Sequence, residues 1–194
     1  MLKFRKHLDV RTIGDRVLRR KAEAVPAITA EIRALAESMN RAMQKFDGIG
    51  IAAPQVGVSL RVVVFDVPFP EDKDKHELSP GEAALLPLMP LAVVNPEITA
   101  STPEVSEHEE GCLSVPKIFA TVVRPERVVF RAMLLNGVTI EYECGGLLGR
   151  CIQHELDHLE GMLFTDRVSP AEAQKIAHEL VELEEYGKKH DFRR

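Results

Sequence analysis

Gln153-His154-Glu155-Leu156-Asp157-His158 is the stretch from which the rest of the chain can be read. Its spacing predicts a helix, because residues four apart lie one above the other on a single helical face, so His154 and His158 can reach one ion. Glu155 follows His154 directly and stands beside that ion, not on it. Two histidines on a divalent metal, with a neighbouring glutamate handling the proton of a water molecule, is the chemistry this pattern serves. Taken alone, the pair is also what two of seven histidines can produce by chance on a solvated helix, so the flanking sequence has to decide.

The stretch sits in a helix read over 147–160, ended by Gly161 in a left-handed cap position. Before it, strand-like runs at 127–134 and 138–143 are joined by Asn136-Gly137, the residue pair that a tight hairpin turn requires. Further strands are read at 60–66, 91–95 and 120–123. Apolar residues Ile32, Leu35, Met39, Met43 and Phe46 recur at helical spacing over 28–46, with Thr29 as N-cap, and this helix stops at Gly48-Ile49-Gly50. A last helix opens at Ser169-Pro170-Ala171-Glu172, a capping box with proline at the first position, and shows an apolar face of Ala173, Ile176, Leu180 and Leu183. It is expected to end near Gly187 and leave 188–194 as a frayed polar tail. Residues 67–91, with Pro68, Pro70, Pro80, Pro87, Pro90 and a charged run at 71–77, read as an exposed excursion from the sheet. The fold expected is α+β: mixed or antiparallel sheets packed around a central metal-binding helix, with an N-terminal and a C-terminal helix, in one domain over 1–194.

Composition excludes several classes. At 194 residues the chain has room for one sizeable core. A net charge of -5 with interspersed Lys and Arg gives no nucleic-acid footprint. No apolar run approaches the roughly 20 residues of a membrane helix. The first ten residues lack the apolar core of a secretory signal, which favours a cytoplasmic setting with an organelle as the alternative. Three cysteines, Cys112, Cys144 and Cys151, form no disulfide framework and leave at least one thiol as a candidate ligand.

A catalytic site of this kind takes three protein ligands and keeps a position open. A histidine six residues after His158 would complete one known pattern, but Phe164 stands there and cannot bind metal. A glutamate on a later helix would complete another, and Glu179 is the residue to try. A thiolate is the third option. Cys151 lies on nearly the same helical face as His154, yet it is seven residues from His158, a rise of about 10.5 Å, too far for one straight helix to supply all three ligands. Cys112 sits in Glu110-Gly111-Cys112-Leu113-Ser114, where Gly111 leaves room for an ion or substrate and Leu113 offers a backbone N–H. Spacing alone does not choose between Cys112 and Cys144.

Three segments together, Gly48-Ile49-Gly50-Ile51-Ala52-Ala53-Pro54-Gln55, Glu110-Gly111-Cys112-Leu113-Ser114 and the opening stretch, resemble the peptide deformylases in order and approximate spacing. The resemblance implies Cys112, His154 and His158 as ligands of one divalent metal, ferrous iron in cells with zinc, nickel or cobalt as alternatives. It implies Glu155 as general acid and base, with Gln55 and the Leu113 N–H as donors to the formyl oxygen. The substrate it implies is a nascent chain beginning with N-formylmethionine, extended beside residues 48–51 and in contact with Gly50 and Gly111. Ile49 and Cys151 would line the methionine pocket. The ribosome is an expected neighbour, and a monomer is the default.

Two residues depart from the family pattern. Arg150 stands one turn before His154, where an apolar pocket residue is usual, and a guanidinium there is costly unless paired or led out to water. Phe119 occupies a region where arginine is common. Both fit as tolerated substitutions at the pocket rim, or else as marks of altered acyl or side-chain specificity. The rival readings are a thermolysin-like peptidase dependent on Glu179 and a non-catalytic metal-binding module. The latter would normally close its site with four ligands.

Overall fold

The computed structural model describes residues 8–70 and 77–189, so most of the charged run at 71–77, and 190–194 of the expected tail, lie outside the described residues. In chain order the elements are α1 (Ala30–Gln44), β1 (Gly50–Ala52), β2 (Val62–Phe65), α2 (Pro80–Leu85), β3 (Leu91–Ser101), β4 (Val105–Cys112), β5 (Val115–Pro125), β6 (Val128–Leu134), β7 (Thr139–Cys144), α3 (Gly146–Leu159) and α4 (Pro170–Lys189). The fold is α+β. Strands β1-β2-β3-β6-β7 form one antiparallel sheet, and β4 and β5 pair separately as a hairpin.

Val62-Val63-Val64-Phe65 explains why the larger sheet is covered on both sides. Successive side chains in a strand point to opposite faces. Val62 and Val64 therefore pack with Ile32, Leu35, Met39 and Met43 of α1, while Val63 and Phe65 pack with Leu148, Ile152, Leu156 and Leu159 of α3. Helix α3 divides its circumference in the same way. Its apolar side faces the sheet, and Arg150, His154 and Asp157, spaced at helical intervals, face β4 and β5 through hydrogen bonds to Glu110 and Arg124.

The expected hairpin is present between β6 and β7, with Gly137 at φ +88°. Thr29 caps α1, and Ser169 accepts from the Glu172 amide at the start of α4. Several expectations change, β5 among them, since it spans Val115–Pro125 and not only 120–123. Strand β4 was not foreseen, and β3 runs to Ser101, well past 95. Helix α4 does not end at Gly187, because that glycine is buried against the Ile13 carbonyl, where a side chain would not fit. The excursion at 67–91 is exposed only in part. Its second half contains α2, whose Ser79 and Glu82 cap each other's amides, and Leu85 and Leu86 enter the core beneath α3.

Asn95 pins the middle of β3 to the segment before α1. Its backbone takes φ +50°, and its amide donates to the Val25 carbonyl and accepts from the Val25 N–H, each at 2.8 Å. Asparagine tolerates this left-handed geometry better than most residues.

Candidate metal centre and active site

The β4–β5 hairpin turns through Leu113 and Ser114, and its pairing slips between Gly111 and Cys112. A bulge of this kind re-aims a side chain, and here Cys112 Sγ lies 3.3 Å from His158 Nε2. The Ser114 N–H donates to the same sulfur at 3.3 Å, and Gln55 Nε2 approaches it at 3.5 Å. Cys112, His154 and His158 each offer a donor atom within 4.8 Å of the others, and they form the only such group of three among the described residues. Cys144 is not part of it. Its thiol is buried under α2 and pushed up to about 12 by burial, with the charges of Glu82 and Glu143 adding to the effect. Cys151 Sγ points to the Ile49 carbonyl at 3.6 Å, and burial raises its pKa well above the ordinary value. Glu179 is exposed on α4 and is not brought to the histidines.

The donor set suits a borderline metal. Imidazole Nδ1 of His154 donates to Glu110 Oε2 at 2.9 Å, which fixes the ring and leaves Nε2 for an ion. Burial would lower the pKa of His154, but its contacts with Cys112 and Glu110 outweigh that and hold it well above the usual value. Burial, reinforced by the charges of His154 and Arg124, keeps His158 neutral, the form that binds metal.

Glu110 is the hub that the sequence did not disclose. Its carboxylate accepts from Arg124 Nε at 2.6 Å and Nη2 at 2.9 Å, and from Arg150 Nη1 at 2.8 Å, in addition to His154. Burial opposes ionisation there, but the bonds from Arg124 and His154 prevail and hold Glu110 far below the ordinary carboxylate range. Arg124 also donates to Asp157 at 2.8 Å, and Arg167 clamps Asp157 from outside. Arg150 is thus paired in the interior. Besides Glu110 it donates to the Val122 carbonyl, the Ser106 carbonyl and Ser106 Oγ, at 3.1, 2.9 and 3.0 Å. A signal for Arg124 was present: along β5, Ile118, Ala120, Val122 and Arg124 share the inward face at period two, so a charge stands where the pattern calls for an apolar residue.

Glu155 lies one residue beyond His154 and is buried, its carboxyl pushed up to about 7 by burial against the pull of His154 and Arg124. Its Oε2 finds no partner among the described residues. Strand β1 passes so close that a Cβ on Gly50 would meet Glu155 Oε1 at 2.5 Å and Cys151 Sγ at 2.7 Å. Only glycine fits between them. Gln55 follows β1 in a short 3-10 turn (Ala53–Val56). Its Oε1 is occupied by the Ala52 N–H at 2.7 Å, which aims its amide N–H₂ toward Cys112.

These groups open on a cavity of about 660 Å³ whose wall includes Ile49, Gly50, Gln55, Gly111, Cys112, Leu113, Arg150, Cys151, His154 and Glu155. A neighbouring hollow of about 720 Å³ shares Glu109, Leu147 and Arg150 with it but is lined by none of the three metal-ligand candidates.

Known proteins resemble this chain in sequence and in fold. The family model described as Polypeptide deformylase matches residues 7–174. Peptide deformylase 2 of Gloeobacter violaceus is 46% identical over 175 residues, covering 90% of this chain and 85% of the relative. Among solved structures, a plant peptide deformylase, PDF1B, aligns with TM-score 0.83 at 32% identity over 98% of this chain and 96% of its own. A Synechococcus elongatus peptide deformylase in complex with actinonin aligns with TM-score 0.73 at 36% identity, over 96% of this chain and 89% of that one. With the family's sequence pattern and its fold both spanning most of these 194 residues, the chain belongs to the polypeptide deformylase family.

Proposed function

We propose that this chain removes the formyl group from the N-formylmethionine that begins nascent polypeptides, releasing formate and a free amine. The observation that carries the reading is the convergence of Cys112, His154 and His158 beside a cavity whose wall includes Cys112, His154 and Glu155, with one carboxylate oxygen of the buried Glu155 unpartnered among the described residues. Ferrous iron is the metal we propose in cells, with zinc, nickel or cobalt able to occupy the same mixed sulfur and nitrogen set. What the metal supplies when bound is Lewis acidity toward the formyl oxygen and a lowered pKa for water.

The protein's own groups do the rest. Glu155 accepts the proton of the attacking water and delivers it to the amine nitrogen as the C–N bond breaks. Gln55 Nε2 and the Leu113 N–H donate to the oxygen that becomes negative in the tetrahedral state, where one lost donor typically costs about 10²–10³ in rate. Ile49, Gly50, Gly111 and Cys151 shape the space around the formylated residue. Arg150 lines the same wall, with its guanidinium bonded to Glu110, Ser106 and Val122. That pairing supports an ordinary apolar side-chain pocket over one built for an acidic group. A nascent-chain substrate supports a cytoplasmic setting with the ribosome as a neighbour, and a monomer is the default.

The test is formate release from a formylmethionyl peptide by protein loaded anaerobically with ferrous, nickel or zinc ion. Turnover with at least one metal is the expected result, and none with a filled site would sink the reading. Glu155→Ala should keep its metal and lose about 10²–10⁴ in kcat. Cys112→Ala should lose the metal itself.

A further inference from the structure

We infer that residues 11–14 form a strap that sets the spacing between the two donors to the formyl oxygen, Gln55 and the Leu113 N–H, and so act as positioning residues for the reaction. The inference rests on the deformylase reading above. The two donors belong to separate parts of the fold. Gln55 follows β1 of the larger sheet, Leu113 lies in the turn of the β4–β5 hairpin, and no strand pairing joins those two sheets among the described residues. The strap bridges them with backbone hydrogen bonds. The Arg11 N–H donates to the Gln55 carbonyl at 2.7 Å, and the Ile13 N–H donates to the Ser114 carbonyl, one residue beyond Leu113, at 2.8 Å. Two residues of chain span at most about 7 Å, so the strap limits how far the two carbonyls can separate.

The strap is itself held rigid. Ile13 is buried among Val115, Ile118, Phe164 and Ile176. The chain then turns at Gly14, whose φ of +102° suits glycine, and the Asp15 N–H closes the turn by donating to the Thr12 carbonyl at 3.1 Å. Helix α4 meets this turn backbone to backbone. A Cβ on Gly14 would come within 2.3 Å of the Glu184 carbonyl oxygen, and a Cβ on Gly187 within 1.9 Å of the Ile13 carbonyl oxygen. With no side chain between them, neither partner has room to give. A displacement of the strap therefore passes to the Gln55 and Ser114 carbonyls that it holds. A donor aimed at the oxyanion acts in the transition state, so misplacing it lowers kcat and spares KM.

The experiment exchanges single backbone amides for esters in the metal-loaded enzyme, by placing the matching α-hydroxy acid at position 11 or 13. Each exchange deletes one N–H and keeps the side chain. On a formylmethionyl peptide, either ester should lower kcat about 10- to 100-fold, while KM and bound metal stay within about twofold. Gly187→Ala, which pushes the strap from behind, should show the same split in folded protein. An ester at Thr102 deletes a bond of the same kind, from its N–H to the Arg127 carbonyl at 3.0 Å and away from the cavity wall, and should leave kcat unchanged. A kcat unmoved by both strap esters or by Gly187→Ala, or a fall no larger than that of the Thr102 ester, overturns the strap. So does a rise in KM or a loss of metal that accounts for the whole effect. Absence of formate from the unmodified enzyme overturns the deformylase reading itself and the strap with it.

Discussion

At the scale of single residues, Glu110 shows how far the site extends beyond the three metal-ligand candidates. One buried carboxylate orients His154 and pairs with two guanidiniums, one of which it shares with Asp157. Glu110→Gln should weaken metal affinity about 10- to 100-fold, as losing a ligand-orienting hydrogen bond does. Competition against a chelator of known affinity, run on folded protein, measures it; unchanged affinity would remove Glu110 from the site's machinery. The His154–His158 pair was legible because helical spacing is local. Glu110 was named only as the neighbour of Cys112, since its partners Arg124 and Arg150 stand 14 and 40 residues away and meet it through strand register and helix packing. The same distance explains why spacing left Cys112 and Cys144 undecided.

At the scale of elements, Asn95 joins β3 to the segment before α1 through two hydrogen bonds that no backbone group replaces. Asn95→Ala should cost about 2 kcal/mol in denaturant unfolding, the sum of two lost bonds and a non-glycine residue left at positive φ. A loss below about 0.5 kcal/mol would show that the segment holds without them. Helices α1, α3 and α4 and the β6–β7 hairpin were readable because each carries its own cap, period or turn residues. Helix α2 carried the same signal: Ser79-Pro80-Gly81-Glu82 repeats the pattern of Ser169-Pro170-Ala171-Glu172. It was hidden by the prolines and charges around it. Strand β4 was hidden for another reason. Glu107, His108 and Glu109 are exposed, and a strand of a two-stranded ribbon with so little buried apolar surface has no hydrophobic alternation to read.

At the scale of the molecule, the larger sheet is clasped between α1 and α3, and α3 in turn bridges to the β4–β5 hairpin through its polar face. The metal-ligand candidates lie on both sides of that last junction, Cys112 on β4 and the histidines on α3. A metal bound at 100 times its dissociation constant should therefore add about 2.7 kcal/mol to folding. Calorimetry before and after chelation should show the midpoint fall by several degrees and recover on adding metal back. A midpoint indifferent to the metal would mean that the ion does not bind the folded protein in preference to the unfolded chain.

The double duty of α3 also sets how the enzyme can vary. Of its 14 residues, only Gly146, Leu147 and His154 are not buried. Gly146 is held by its positive φ and His154 by its place among the metal-ligand candidates. Leu147 remains, half exposed and facing the cleft. The helix that carries the chemistry thus leaves evolution a single free letter, and that letter is spelled out in front of the substrate. Lineages that keep this core can drift there without unfolding, so differences in taste between related enzymes are expected to be written at this position before any other on the helix.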